Sequence, residues 1–353
     1  MHPSERRPPH EHPTKFLPRF APPDTSWGPR MSTPTPTATD RAPLAERIAG
    51  APISWGVCEV PNWGHQLDPD TVLREMREVG IVATEFGPDG FLPDEPVAKA
   101  EVLDGAGLRA VGQFVPVVLH DPGHDPLPEV ETAMEALTVA GATTVVIAAA
   151  TGVEGYDARP QLDDAQWDTL LQNLDLITAG AEARGLTATL HPHVGTLVES
   201  GEETERVLAG SRIGLCLDTG HLLIGGGDPV AIARSHPDRI GHVHLKDVRL
   251  DVADRVRSGD LAYTEGVAEG MYVPLGEGDV NVAAIVGSLE DAGYAGWYVL
   301  EQDTILTGPP SQTGVDPLAD VRTSLDFVRS VRNSGGQGVT SPDASGTTGR
   351  SDG

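Results

Sequence analysis

The sequence predicts an α/β protein, a single (β/α)8 TIM barrel, on three observations. Apolar β-rich runs alternate with amphipathic helical patterns eight times between residues 44 and 333, which leaves little chain for a second domain. A doubly wound open sheet would carry a GxGxxG turn after its first strand, and none is present. The last four strands each end in side chains that bind metals, and parallel barrels gather their chemistry at those strand ends.

Taken in order, APISWGV at 51–57 reads as the first strand. DPDTVLREMREVG at 68–80 reads as the first helix. Asp68 is its N-cap, Pro69 opens the first turn, Val72, Leu73, Met76 and Val79 form the apolar face, and Gly80 ends it. VATEFG near 82 is the second strand, followed by a helix up to Gly107. RAVGQFVPVVL is the third, before a helix that starts near Leu127. TTVVIAAA at 143–150 is the fourth and precedes an amphipathic helix over 163–184. The remaining strands are TATLHPHVG at 187–195, IGLCLDTGH at 213–221, IGHVHLKDV at 240–248 and GWYVLEQD at 296–303. Residues 249–279 break the rhythm as an insertion after strand seven, and a helix over 316–332 closes the fold.

Composition bounds the setting. With 39% hydrophobic residues in 353, the chain can build a sizeable core. Cys58 and Cys216 are too few for a disulfide framework, which points to a reducing, cytoplasmic compartment. Net charge is −27, and residues 1–43 carry six basic and four acidic side chains, leaving −29 on the remainder. Such a surface repels long phosphate backbones, so no nucleic-acid partner is expected. No apolar run reaches the ~20 residues that span a bilayer, and residues 1–30 lack the apolar core of a secretory signal. Residues 1–43, crowded with Pro, Ser and Thr, and residues 334–353 are expected to be disordered tails flanking a catalytic domain over 44–333, with Met31 an alternative start.

The chemistry sits in the second half. His191 and His193 end strand five, Asp218 and His221 strand six, His242 and His244 strand seven, Glu301 and Asp303 strand eight. Histidines two apart share one face of a strand. Imidazole and carboxylate together suit a divalent metal. A lone histidine there would be a satisfied core group; agreement of four strand ends carries the metal reading. The glycines of GPDG and IGGG fit turns and not a phosphate loop, so no nucleotide cofactor is expected.

LDTGH, HVHLKD and LEQD resemble the sixth, seventh and eighth strand motifs of the xylose isomerase-like TIM barrels, a superfamily of sugar isomerases, epimerases, dehydratases and the endonuclease IV group. ISWGVCEVPNWGHQL at 53–67, TEFGPDGFLP at 84–93 and LHPHVGT at 190–196 narrow the resemblance to inosose dehydratases of inositol catabolism, over about residues 51–332. The resemblance implies a lyase that removes water from 2-keto-myo-inositol with a divalent metal, Mn²⁺ or Co²⁺ being favoured. It places the ligands on His191, Asp218, His244 and Glu301. It implies Glu301 as general base, Lys246 as acid or enolate stabiliser, and Glu85 as an alternative base or hydroxyl ligand. Trp55 and Trp63 would wall the ring, and His193 and His221 would bind substrate oxygens. His65 and His120 are weaker loop candidates.

Many isomerases and epimerases of the superfamily carry glutamate where His191 stands. Epimerisation needs an acid or base on each face of a planar enediolate, and an imidazole bound to metal has no lone pair left to serve. That departure favours a lyase, with a sugar or sugar-phosphate isomerase or epimerase as the runner-up. An endonuclease of the same superfamily would need a basic DNA face, which the acidic barrel lacks. The expected partner is a small cyclic polyol ketone or sugar, with no membrane involved and a homo-oligomer left open.

Overall fold

The computed structural model describes residues 41–331; of the expected tails at 1–43 and 334–353, all but residues 41–43 lie outside that range. The strands are β1 (Ile48–Gly50), β2 (Ala83–Glu85), β3 (Arg109–Val118), β4 (Thr144–Ala150), β5 (Thr187–Leu190), β6 (Gly214–Asp218), β7 (Ile240–Leu245), β8 (Asp247–Val248), β9 (Tyr272–Val273) and β10 (Tyr298–Leu300). The helices are α1 (Pro69–Glu78), α2 (Pro96–Ala106), α3 (Leu127–Val139), α4 (Asp164–Ala183), α5 (Gly201–Gly210), α6 (Thr219–Ile224), α7 (Pro229–Ser235), α8 (Leu250–Arg257), α9 (Tyr263–Ala268), α10 (Val282–Asp291), α11 (Pro310–Thr313) and α12 (Pro317–Val331). Strands β1 to β7 and β10 close a parallel barrel in that order, as expected. None of these helices is long and apolar enough to cross a membrane.

The first strand lies earlier than the sequence suggests. Ile48–Gly50 pairs with Tyr298–Leu300, while Pro52–Trp55 coils into a 3-10 turn ended by Gly56 at φ 77°. Pro52 has no N–H to give a ladder and its fixed φ suits a turn. The small residues Ala49 and Gly50 hide the true strand from a pattern search. Elsewhere the local rules hold: the Asp68 carboxylate accepts from Thr71 N at 2.9 Å, and Val72, Leu73 and Met76 of α1 are buried.

Period-2 alternation builds the inside of the barrel. Ala49, Ala83 and Val299 pack with Val111 in a small separate cluster. Two residues further along the same strands, Glu85 and Glu301 continue that inward face. The register slips between Thr84 and Glu85 against β3, and again between Leu215 and Cys216 against β7. Such a bulge inserts one residue and resets which side chains point inward. On β3 a Cβ at Gly112 would come 3.2 Å from Glu85 Oε1 and from the Thr144 carbonyl, so a side chain at this inward position would press on the Glu85 carboxylate. Past the bulge Phe114 faces inward against the rings of His191 and His193. On β7 the slip falls at Gly241 and leaves both His242 and His244 turned inward.

Two buried clamps close the structure. Arg47 Nη2 lies 2.5 Å from Glu290 Oε1, and Arg41 Nη2 lies 3.1 Å from Glu290 Oε2, tying the chain before β1 to α10. Arg41 and its neighbours were expected in the tail; Arg41 is instead anchored, because its guanidinium also reaches the carbonyls of Glu290 and Tyr294 at 3.0 Å. The second clamp is Asp247, whose carboxylate accepts from the amides of Val248, Gly276, Gly278 and Val280 at 2.8–3.1 Å. It pins down the insertion after strand seven, which folds as α8, α9 and the antiparallel β8–β9 ribbon.

Glu290→Ala leaves the buried Arg47 without its counter-charge and should cost about 3–5 kcal/mol, seen as a lowered Tm in thermal unfolding. Asp247→Ala strips four amides of their acceptor, at roughly 1–3 kcal/mol for each one that stays buried and unpaired. Hydrogen exchange should then accelerate across 276–280 while the amides of β4 stay protected. An unchanged exchange pattern would show that the clamp does not hold this segment.

Candidate active site

The side chains singled out at the strand ends meet at one end of the barrel. Asp218 is the last residue of β6 and the N-cap of α6; its Oδ1 accepts from Gly220 N at 2.9 Å and His221 N at 2.7 Å. Its Oδ2 turns the other way, 3.1 Å from His191 Nε2 and 3.7 Å from His244 Nδ1. Glu301, just past β10, brings Oε2 to 2.9 Å from His244 Nδ1. Asp218, His244 and Glu301 thus offer three donor atoms within 4.8 Å of one another, and His191 stands beside Asp218.

Glu85 fixes the imidazole orientation. Its Oε1 lies 2.9 Å from His242 Nε2 and 3.0 Å from His244 Nε2. With Nε2–H donated to Glu85, His244 turns its Nδ1 lone pair toward the carboxylates of Glu301 and Asp218, a carboxylate–histidine pairing typical of metal ligands. That Nδ1 is buried, and no hydrogen bond is aligned on it. A lone pair facing two carboxylates is repulsive, and a cation between them removes the conflict. The donor set therefore fits a divalent ion.

Electrostatics point the same way. Burial pushes up the carboxyls of Glu301 and Asp218, yet His244 and Lys246 for the first and Lys246 and His191 for the second hold both below the ordinary range. Burial likewise raises Glu85, but His244 and His242 bring it to about 2. Burial also lowers His191, His193, His221 and His242, which favours the neutral ring that His191 needs as a ligand. For His244, burial disfavours the charged ring, and the surrounding charges, Glu301 and Glu85 among them, overcome it and raise its pKa well above the usual value. Positive charge is wanted at this point.

Lys246 is the ammonium of the site. Nζ lies 2.5 Å from Asp303 Oδ1, 3.1 Å from Glu301 Oε2 and 3.1 Å from His221 Nε2. Burial works against its charge, and Asp303, Glu301 and Asp218 raise its pKa well above the usual lysine value. It is better suited to stabilising an anion than to releasing a proton. Asp303 Oδ2 accepts from Tyr263 Oη at 2.6 Å, and Tyr272 Oη lies 3.1 Å from Tyr263 Oη and 3.3 Å from His221 Nδ1. These tyrosines come from α9 and β9 of the insertion, and no spacing in the sequence ties them to strand eight. Asp247, next to Lys246 in sequence, is committed to its amide clamp.

A cavity of about 1030 Å³ opens over this floor, with Glu85, His191, His193, Lys246, Glu301 and Asp303 on its wall. Two expected substrate contacts do not reach it. Trp55 is fully buried with its Nε1–H donated to Glu75 at 2.8 Å, because the 3-10 turn points it into the α1 side of the core. His221 is also fully buried, with the His193 ring tilted over it at a centroid distance of 3.7 Å. It supports His193 and Lys246 from below. Trp63 does line the cavity, with Nε1–H donated to Thr304 O at 3.0 Å. Tyr156 packs against His193 at 4.3 Å and bonds to Glu59 across the cavity mouth. Gly195, at φ 78°, passes so close to the Tyr156 carbonyl that any Cβ would overlap it, which explains the glycine after HPHV.

The sequence profile of the xylose isomerase-like TIM barrels matches residues 118–331. The chain is 35% identical over 272 residues to rhizopine catabolism protein MocC of Rhizobium meliloti, covering 74% of this chain and 82% of that protein. It is 33% identical over 278 residues to inosose dehydratase of Geobacillus kaustophilus, covering 74% and 90%. Among solved structures, the IOLI protein with a bound zinc atom superposes with a TM-score of 0.59 at 15% identity, covering 82% and 98%, a likeness of fold. With the profile spanning β4 to α12 and every strand end that bears a candidate ligand, the chain belongs to the xylose isomerase-like TIM barrel family.

Proposed function

We propose that this protein is a metal-dependent hydro-lyase that removes water from 2-keto-myo-inositol, a cyclic polyol ketone. The observation that carries the reading is the donor past β5. An imidazole, His191, stands 3.1 Å from Asp218 there, in place of the second carboxylate that two-faced proton transfer requires. Relatives that bear the name inosose dehydratase, at 28–33% identity, support the same chemistry.

His191, Asp218, His244 and Glu301 would hold the divalent cation, which when bound supplies a Lewis acid for the ketone oxygen. Mixed imidazole and carboxylate ligation favours Mn²⁺ or Co²⁺. Glu301, on the cavity wall, takes the proton from the carbon beside the carbonyl. Lys246 donates to the oxygen that becomes anionic. The carbon–oxygen bond at the β position then breaks, and the proton taken up by Glu301 leaves with the hydroxyl as water, while Lys246 stays charged beside Asp303. Glu85 is a positioning residue, acting through His244.

The test is a product assay on the full-length protein reconstituted with Mn²⁺ or Co²⁺. Keto-inositol should give a conjugated dione detectable by absorbance, and a ketohexose in deuterated water should show little epimerisation. Rapid epimerisation with no dione would replace the lyase reading with the runner-up. Glu85→Gln keeps an oxygen near both imidazoles but removes the charge. Loss of such a supporting carboxylate typically lowers metal affinity about 10–100-fold, measurable by competition against a chelator, with little change in Tm. Full retention of metal affinity would remove Glu85 from the positioning role.

A further inference from the structure

The cavity continues behind the barrel wall. On β3, Gly112 and Phe114 face inward, so Gln113 and Val115 face outward toward the helical layer. Both nevertheless line the same cavity, together with Lys99 of α2 and the small residues Ala133 and Ala136 of α3. The space therefore has two compartments: the barrel mouth, and an annex between β3, α2 and α3. The whole, about 1030 Å³, reaches the upper end of the roughly 300–1,000 Å³ usual for drug-sized ligands. A single six-carbon ring fills only part of it.

Two polar side chains in the annex have hydrogen-bonding capacity left open. Lys99 is 7% exposed, and its ammonium has no ion pair or hydrogen bond among the described residues; it rests over the Phe86 ring at 4.9 Å. Gln113 is also 7% exposed; its Nε2 donates to Asp89 at 3.4 Å, while its Oε1 accepts from nothing. The Lys99 ammonium is not sealed from solvent: it opens onto the cavity. A donor and an acceptor left open on one cavity wall suit a hydroxyl, which can accept from the first and donate to the second. Asp89, Asp94, Glu129 and Glu135 line the same cavity, and such a wall disfavours a phosphate or carboxylate.

We propose that the annex is a second recognition compartment in which Lys99 and Gln113 bind an uncharged, hydroxylated substituent carried by the ring substrate. The inference rests on the proposed polyol-ketone reading and extends it: the preferred substrate is a substituted ring, such as a glycosylated polyol ketone. The full-length protein is titrated by calorimetry with myo-inositol and with O-galactosyl-myo-inositol. The glycosylated probe should bind about 10-fold tighter, as expected for a charge-assisted hydrogen bond. Lys99→Met and Gln113→Leu should each erase that advantage while binding of the bare ring moves less than about 2-fold. Lys99→Met keeps an unbranched apolar stem beside Phe86, so its Tm should stay near the wild-type value and weaker binding could not be laid to misfolding. Equal affinity for both probes, or equal losses on both, would overturn the annex and leave the ring site standing. Binding of neither probe would overturn this inference, while the dione assay on keto-inositol decides the ring reading separately.

Discussion

Three carboxyl groups, Asp218, Glu301 and Asp303, are held out of water around the ammonium of Lys246, with a fourth, Glu85, on the far side of His244, and the rest of the site answers to that concentration of negative charge. Like charges about 4 Å apart repel by roughly 4 kcal/mol at an effective dielectric near 20. Hydrogen bonds absorb part of the strain: two imidazoles on Glu85, two amides on Asp218, a tyrosine on Asp303. None of these supplies the full positive charge that Glu301 and Asp218 share across His244. The barrel can tolerate the arrangement because each carboxylate is borne on or next to a strand whose neighbours fix it on both sides.

The strand-end ligand candidates were legible because parallel strands advertise their ends. A buried apolar run followed at once by His, Asp or Glu is hard to produce by packing needs alone, and the four later runs shared it. The Asp68 cap and the α1 face were legible for the same local reason. What failed was long-range or small. β1 escaped because Ala49 and Gly50 lack side chains that signal a strand. Trp55 was placed at the substrate because its neighbours in sequence are there; one 3-10 turn rotates it toward Glu75. Tyr263 meets Asp303 across an inserted segment, and Lys99 meets Phe86 between layers, so no period in the sequence relates them.

The two bulges show how a metal-binding face is tuned without changing the ladder around it. Each adds one residue, and each sits where an inward glycine makes room for a neighbouring polar side chain. Without the slip at Gly241, β7 could not turn both of its histidines to Glu85 while its remaining residues keep pairing with β6 and β10.

Asp218 serves two masters, and this limits how the site can be remodelled over generations. One oxygen starts a helix while the other faces the reacting centre, so any replacement that tunes the centre also loosens α6. His191 carries no such second duty: its Nδ1 is unbonded, and apart from the contact of Nε2 with Asp218 its ring is held by packing. Sequence drift in search of a new reaction therefore meets a closed door on β6 and an open one past β5, and related barrels with other activities should differ first at position 191.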